Sequence, residues 1–184
     1  GVVPPTMAAP PTLGSLSIPE PKLDPPHSLA LLCSQDQRER AVHTLGKSYE
    51  DLVRGLRGDY RHAPDVVAYP GGEQDLENVL AWCAERHAAA IPFGGGSSIS
   101  GSLEPAVDET RPILSMDLTR LDRVLEIDHV SRLARVQAGV MGPALEAQLG
   151  AAGYTMGHLP DSFPHSTLGG WIATRSSGMQ SDRY

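Results

Sequence analysis

Two short apolar runs flank one amphipathic stretch between residues 65 and 96, and this order constrains the fold more than any other feature of the chain. "DVVAYP" (65–70) is β-branched and ends at a proline, so it predicts a strand. "EQDLENVLAWCAERHA" (73–88) carries apolar residues three and four positions apart, which predicts an amphipathic helix. "AAIPFGGG" (89–96) predicts a second strand that ends in three glycines. A strand–helix–strand unit predicts parallel strands joined by a right-handed crossover.

The apolar face of the central helix predicts core positions for Leu76, Val79 and Leu80. Cys83 continues that face, and Cys33 lies in another apolar context of helical character. The two cysteines form no metal-binding pair, so we expect reduced, buried thiols of the kind found in cytosolic proteins.

The chain divides into three parts by composition. Residues 1–27 are rich in proline and predict an extended leader that either drapes over a domain or stays disordered. Residues 28–62 predict a helical segment, and residues 63–184 predict the main domain. In the helical segment, Ser34 and Gln37 form a candidate capping box for a first helix, and Ser48 opens a second one.

Beyond the glycines, the pattern predicts strands and one further helix. "PILSMDL" (112–118) predicts a third strand, while "DRVLEID" (122–128) and "LARVQAG" (133–139) predict an antiparallel hairpin. Pro143 takes the first position of a helix. Residues 158–184 form a polar segment broken by glycines, to which the pattern assigns no helix or strand.

The overall composition excludes several classes of protein. A formal net charge of -7 argues against a nucleic-acid binder. No apolar run approaches the roughly 18 residues that a membrane span needs. The first residues show no basic region followed by an apolar core, so we expect no signal peptide and a cytoplasmic location.

The run "IPFGGGSSISG" (91–101) suggests a phosphate site, because glycine amides can approach an anion without a Cβ in the way. A Walker A loop would need lysine where Ser102 stands. A G-x-G-x-x-G fingerprint would need glycine at Ile99 or at Ser98, depending on its first residue. Both motifs therefore fail, and a glycine turn without any ligand stays open.

The later stretch "PDSFPHSTLGGWIATRSSG" (160–178) favours a ligand. It holds many small hydroxyls and glycines, which suit a long polar ligand pressed against backbone. Its arginine, Arg175, would hold either a phosphate or an internal carboxylate. Trp171 is expected in the core rather than against a ligand. The spacing of His158, Asp161 and His165 is not a strong metal-ligand pattern.

Four stretches together carry a resemblance to a known family: "IPFGGGSSISGSLEP", "DETRPILSMDL", "GHLPDS" and "STLGGWIATRSSGM". They resemble the FAD-binding domain of the vanillyl-alcohol-oxidase (PCMH) type, and within it the alkyldihydroxyacetonephosphate synthase (alkylglycerone-phosphate synthase) family. The resemblance runs from about residue 63 to residue 184. It implies an α+β fold of two α+β subdomains with FAD between them, the second subdomain being incomplete in this chain.

The resemblance also implies three cofactor-binding segments. The first comprises Ile91, Pro92, Phe93, Gly94, Gly95, Gly96, Ser97 and Ser98. The second comprises Asp161, Ser162, Phe163, Pro164, His165, Ser166 and Thr167. The third comprises Gly169, Gly170, Thr174, Arg175, Ser176 and Ser177. Covalent relatives link the flavin through a histidine where this chain has Ser97, so the resemblance implies non-covalent FAD.

The activity implied by the resemblance is a transferase reaction of ether-lipid synthesis. The acyl group of an acyl-dihydroxyacetone phosphate is exchanged for a fatty alcohol through an adduct on the flavin N5. The family's catalytic residues would lie beyond Tyr184, so none is assigned here. No metal is expected. Two alternatives stay open: an FAD-linked oxidase or dehydrogenase of a 2-hydroxy acid or alcohol, and an inactive fragment with weak FAD binding.

The same resemblance bears on partners. We expect a small-molecule or lipid substrate, with a peripheral contact to the membrane if the substrate is a lipid. No nucleic-acid partner is expected, and a homodimer stays open.

Overall fold

A computed structural model describes residues 9–181 of the chain. The first eight residues of the predicted leader and the last three of the predicted main domain therefore lie outside the described residues. The strands are β1 (Cys33–Ser34), β2 (Val66–Ala68), β3 (Ala89–Phe93), β4 (Ile113–Asp117), β5 (Val124–Asp128) and β6 (Leu133–Val136). The α-helices are α1 (Gln37–Val42), α2 (Tyr49–Leu56), α3 (Glu73–Glu85), α4 (Gly142–Ala151) and α5 (Leu168–Thr174).

The first four strands form one sheet in the order β1-β2-β4-β3. Strands β2 and β3 run parallel to each other, as predicted, because each pairs in parallel with β4, and β1 pairs with β2 in the antiparallel sense. The third predicted strand lies between the other two, so that Ser115 is opposite both Val67 and Ile91. This central position of β4 follows from long-range pairing and has no signal in the local pattern.

Helix α3 packs on this sheet and completes the first core. Val79, Trp82 and Cys83 are buried against strand residues such as Val66 and Leu114. The prediction that Leu80 belongs to the core is wrong, since its side chain is 50% exposed. The buried face of α3 turns toward Trp82, and a residue directly after Val79 lies about 100° away from that face.

Two predictions near the start of the helical segment need correction. Ser34 and Cys33 lie in strand β1, not in a helical context, because Cys33 pairs with Ala68 of β2. The cap of α1 is Asp36, whose carboxylate accepts hydrogen bonds from the amides of Arg38 and Glu39. Asp36 binds the amides two and three positions after itself, so it has the role predicted for Ser34 but two residues later in the chain.

The second predicted helix start is confirmed. Ser48 accepts a hydrogen bond from the Asp51 amide and the Asp51 carboxylate accepts one from the Ser48 amide, which is a complete capping box for α2.

The described part of the leader drapes over the sheet. Leu23 is buried in the first core. The Lys22 amide donates to the Asp65 carboxylate at 2.6 Å, and the Arg40 guanidinium donates to the Pro19 carbonyl at 2.5 Å. Of the two states left open for the leader, residues 9–27 take the packed one.

The second part of the molecule is the predicted hairpin β5–β6 with helices α4 and α5. Its core holds Val140, Leu145, Leu149 and Trp171, which confirms the core position of the tryptophan. Pro143 is the second residue of α4 rather than the first, since the helix begins at Gly142.

The polar segment after residue 158 contains a regular element that the pattern missed. Helix α5 spans Leu168–Thr174 and is capped by Thr167, whose hydroxyl accepts a hydrogen bond from the Gly170 amide. The two glycines in its first turn hide the helical signal, because glycine is a poor helix former and tertiary packing must supply the stability. Among the described residues, no helix is long and apolar enough to cross a bilayer.

Candidate functional site

The glycine turn directly follows β3 and lies against the segment that ends at Thr167. A Cβ on Gly94 would overlap with the Thr167 hydroxyl, and a Cβ on Gly95 would overlap with the His165 carbonyl oxygen. The two segments therefore meet backbone to backbone, and only glycine allows that approach. The structure thus brings the first and second predicted binding segments together.

The third glycine shapes the turn itself. Gly96 has a φ of 65°, a conformation that residues with a side chain rarely adopt. A Cβ there would also lie 2.8 Å from the Phe93 ring. The turn consequently folds back over the end of its own strand.

The amides of the turn are available to a ligand. None of the backbone N–H groups of residues 95–99 donates a hydrogen bond to any residue of the described part of the chain. The hydroxyls of Ser98, Ser100 and Ser102 cluster beside them, with 2.7 Å between the Ser98 and Ser102 oxygens. Successive unsatisfied N–H groups beside hydroxyls form a cradle for an anion such as a phosphate.

The other side of the turn is held by a segment that sequence reasoning did not include in the site. The Lys47 amide donates to the Ser98 carbonyl at 2.6 Å, and a Cβ on Gly46 would overlap with that carbonyl oxygen. Helix α2 adds an ion pair from Arg54 to Glu104, in the loop that follows the turn. Gly46 was the available signal in the sequence. It lies two residues before the cap of α2, and its backbone conformation does not require glycine, so the missing side chain indicates a close contact.

In the second predicted segment, the buried hydroxyls serve the protein itself. The Ser166 hydroxyl donates to the Ser162 carbonyl at 2.8 Å and accepts a hydrogen bond from the Trp171 indole at 2.6 Å. Phe163 stacks on Trp171, while Asp161, Pro164 and His165 are exposed or near the surface. This segment therefore contributes mainly its shape and its backbone to the site, because its buried hydroxyls already form hydrogen bonds within the protein.

The third predicted segment surrounds the end of α5. The Gly169 amide donates to the Ala138 carbonyl at 2.8 Å, and the Thr174 hydroxyl donates to the Gly170 carbonyl. Arg175 follows the helix with a φ of 49°, and its side chain is exposed. It forms no ion pair with a carboxylate of residues 9–181, so the structure gives the internal-carboxylate alternative no support.

Of the three residues considered for a metal, His158 makes other side-chain contacts. His158 lies 2.8 Å from the Ser181 hydroxyl, and its ring packs edge-on against Trp171. Residues 9–181 contain no group of three or more His, Cys, Asp or Glu side chains arranged to hold a metal ion.

A buried polar pair lies directly behind the glycine turn and was not predicted. His43 and Asp117 meet at 3.0 Å, and the His43 ring packs against Phe93. Burial raises the pKa of Asp117, but hydrogen bonds from His43 and Thr119 hold that pKa below its ordinary value. An aspartate at the end of an apolar strand was the one signal for such a pair in the sequence.

Comparison with known proteins shows the family to which the chain belongs. The family described as an FAD binding domain matches residues 64–184. Alkyldihydroxyacetonephosphate synthase of Dictyostelium discoideum is 44% identical over 149 residues, which are 81% of this chain and 24% of that protein. The FAD-linked oxidoreductase YgcU of Escherichia coli (strain K12) is 32% identical over 66% of this chain and 24% of that protein.

A solved structure has a similar fold. A structure of alkyldihydroxyacetonephosphate synthase superposes with a TM-score of 0.89 at 38% identity, covering 97% of this chain and 35% of that one. The chain thus spans about a quarter of the length of the curated relatives that it matches.

Proposed function

The chain belongs to the family of FAD binding domains, and from this premise we propose that the protein is an alkyldihydroxyacetonephosphate synthase. It would exchange the acyl group of an acyl-dihydroxyacetone phosphate for a fatty alcohol. The observation that carries the proposal is the 44% identity to a synthase over 81% of the chain, against 32% over 66% for the oxidoreductase. The structural likeness to the synthase also includes residues ahead of the family match.

FAD is the cofactor of this domain, and the geometry of the glycine turn fits its pyrophosphate. The unsatisfied amides of residues 95–99 would bind the phosphate oxygens. Gly94 and Gly95 leave no side chain between the ligand and the second segment. Arg175 supplies an exposed positive charge at the end of α5. These features support the three binding segments as the cofactor site.

The role of the described residues is to bind and orient. FAD, when bound, supplies the flavin ring at which the acyl and alkyl groups are exchanged. The turn and the 161–167 segment would hold the pyrophosphate of FAD. We assign no catalytic residue to this chain.

We propose that the cofactor is held without a covalent bond, since Ser97 offers no ring nitrogen to link the flavin. Precipitation of the purified flavoprotein with acid should release all of the yellow colour into the supernatant. Flavin that stays with the precipitate would contradict this proposal.

The activity is tested on the full-length protein purified with its flavin. With acyl-dihydroxyacetone phosphate and a radiolabelled fatty alcohol, we expect label in an ether lipid and release of one fatty acid for each exchange. Reduction of an electron acceptor by D-lactate or another 2-hydroxy acid, without exchange, would instead identify an FAD-linked dehydrogenase. Absence of both activities in a flavin-loaded protein would reject both enzymes.

A lipid substrate has a consequence for location. We propose that the protein works in the cytoplasm and contacts the membrane surface only peripherally. Sedimentation with vesicles that contain the acyl substrate should bring the full-length protein down, and salt should release it.

A further inference from the structure

A buried histidine lies behind the cofactor turn without touching any of the predicted binding hydroxyls. His43 follows α1 and is 4% exposed. Its ring centroid lies 4.2 Å from that of Phe93, the last residue of β3 before Gly94. The histidine therefore supports the strand end from which the turn begins.

Both ring nitrogens of His43 face oxygen atoms. Nδ1 lies 2.7 Å from the Glu39 carbonyl oxygen, and a carbonyl accepts hydrogen bonds but donates none. Nε2 lies 3.0 Å from Oδ2 of Asp117. With Asp117 ionised, only a ring with a hydrogen on both nitrogens donates to both oxygens, and that ring is a positively charged imidazolium.

The surroundings of Asp117 favour its ionised form. Its Oδ1 accepts two hydrogen bonds from Thr119, from the amide at 2.8 Å and from the hydroxyl at 2.6 Å. Donors of this kind stabilise a carboxylate, which agrees with the pKa of Asp117 lying below its ordinary value in spite of burial.

Two contacts connect the His43–Asp117 pair to the glycine turn. The Phe93 ring lies between His43 and Gly96, close enough to Gly96 to exclude a side chain there. The Phe93 carbonyl accepts a hydrogen bond of 2.9 Å from the amide of Leu118, the residue after Asp117. Loss of the contact between His43 and Asp117 would therefore move both the ring and the backbone that precede the glycines.

We propose that His43 is a positioning residue for the cofactor loop: held as a buried imidazolium by Glu39 and Asp117, it sets the place of Phe93 and so the conformation of the turn at 94–98. The inference rests on the proposed use of that turn in FAD binding. It assigns His43 no contact with the cofactor.

Several parts of the fold surround the His43 ring. The groups that face it are Asp117 from β4, Phe93 from β3, the Glu39 carbonyl from α1, and Tyr69, whose ring meets it edge-on at 5.8 Å. Glu39 also accepts a hydrogen bond from the Tyr69 hydroxyl. A ring without a hydrogen on Nε2 would present a bare nitrogen to the Asp117 carboxylate, which would loosen the pair.

The charge of the ring can be observed without FAD. In the full chain labelled with ¹⁵N, we expect both ring nitrogens of His43 to show the chemical shifts of a protonated imidazolium at neutral pH. In Asp117→Asn, the amide can donate to a bare Nε2, so His43 should become neutral while the amide signals of residues 94–98 keep their positions. A neutral ring in the folded wild-type chain would overturn the proposal.

The coupling to the turn is tested with two further variants. His43→Ala should shift the amide signals of residues 94–98 and weaken FAD binding about tenfold. Thr44→Val is the matched control, because it removes a buried hydrogen bond to the Arg40 carbonyl without touching Phe93 or Asp117.

The outcomes separate this inference from the proposed function. If Thr44→Val shifted the turn as much as His43→Ala, or if His43→Ala left it in place, the positioning role would be rejected. Should His43→Ala not fold, the ring signals of the wild-type chain and of Asp117→Asn decide alone. A wild-type chain that bound no FAD but showed the expected ring and turn signals would contradict the use of the turn and support the role of His43.

Discussion

At the scale of single residues, the site depends on close backbone contacts that tolerate no side chain. Gly94 and Gly95 lie against the 165–167 segment, and Gly46 lies against the Ser98 carbonyl. The amides of residues 95–99 donate no hydrogen bond to the described part of the chain, so they are free to bind an anion. A methyl group at Gly95 or Gly46 would have to displace backbone, which is harder than displacing the end of a flexible side chain, and one at Gly94 would have to displace the buried Thr167 side chain.

Gly95→Ala should therefore remove FAD binding and destabilise the chain by about 1–3 kcal/mol. The reason is the overlap of the new methyl with the His165 carbonyl. Gly150→Ala is the control, since a Cβ there meets nothing within 4 Å and the residue lies in helix α4. The control should keep FAD binding and gain about 0.5–1 kcal/mol. Fluorescence titration with FAD and urea unfolding measure both; equal affinities in the two variants would contradict the close-contact argument.

The stability of the chain should depend on Asp117 on the acid side. A carboxylate with a lower pKa in the folded than in the unfolded state stabilises the protein above the unfolded pKa, about 3.9. That contribution is lost as the pH falls through the folded pKa, which for Asp117 lies below its ordinary value. We expect the Tm of the wild-type chain to fall more steeply below about pH 4 than that of Asp117→Asn.

The control for this pH dependence is Asp108→Asn, which changes an exposed aspartate in the 106–111 loop. Its Tm should follow the wild-type curve at every pH. Parallel curves for wild type and Asp117→Asn would show that Asp117 has the same pKa in both states.

At the scale of elements, the six-residue helix α1 connects three other parts of the molecule. Arg40 donates to the Pro64 carbonyl at 2.7 Å and to the Pro19 carbonyl at 2.5 Å, which ties α1 to the leader and to the entry of β2. His43 follows the helix and ties it to β4. A helix of this length is not stable alone, so its cap and these tertiary contacts determine whether it forms.

Asp36→Ala should lower the free energy of unfolding by about 1 kcal/mol, because two amides of the first turn of α1 lose their acceptor. Ser34→Ala removes only the hydroxyl that accepts a hydrogen bond from the Asp36 amide, and it should cost less. Urea unfolding of the two variants distinguishes them. A larger loss for Ser34→Ala would restore the serine as the cap that the sequence suggested.

At the scale of the whole molecule, the glycine turn lies where two cores meet. The first core lies between the four-stranded sheet and α3, and the second lies between the hairpin, α4 and α5. A Cβ on Gly139 would overlap with the Leu118 carbonyl, so the two parts also touch backbone to backbone behind the site. The second core is open on one side, where a groove of about 510 Å³ is lined by side chains such as Leu133 and Ile172.

The groove should make the isolated chain bind apolar dyes. Leu133 is 67% exposed and Ile172 is 71% exposed, so replacing both with serine removes apolar surface without opening the core. We expect a fall in ANS fluorescence of at least about twofold and little change in Tm. Val107→Ser changes a fully exposed apolar side chain that does not line the groove, and it should leave the fluorescence unchanged. Equal effects of both changes would show that the groove is not the dye site.

Much of the architecture could be predicted from local pattern. Strands β2, β3 and β4, the hairpin, α3 and the start of α2 at Ser48 are confirmed, because periodicity and caps act between residues a few positions apart. The same holds for the identity of the cofactor, since the motifs that carry the resemblance are contiguous stretches. Leu80 and the start of α1 were predicted wrongly because several neighbouring residues satisfied the same local rule equally well.

What the sequence determined by itself is therefore a set of elements and an FAD-binding family. Only the tertiary structure decided that β4 lies between β2 and β3, that Gly46 and Lys47 hold the cofactor turn, and that His43 meets Asp117, 74 positions away in the chain. The physical reason is that burial, charge pairing and backbone contact depend on distance in space. The local sequence around the histidine after a short helix, or around the aspartate at a strand end, does not indicate that the two residues meet. Only the folded sheet brings them to 3.0 Å.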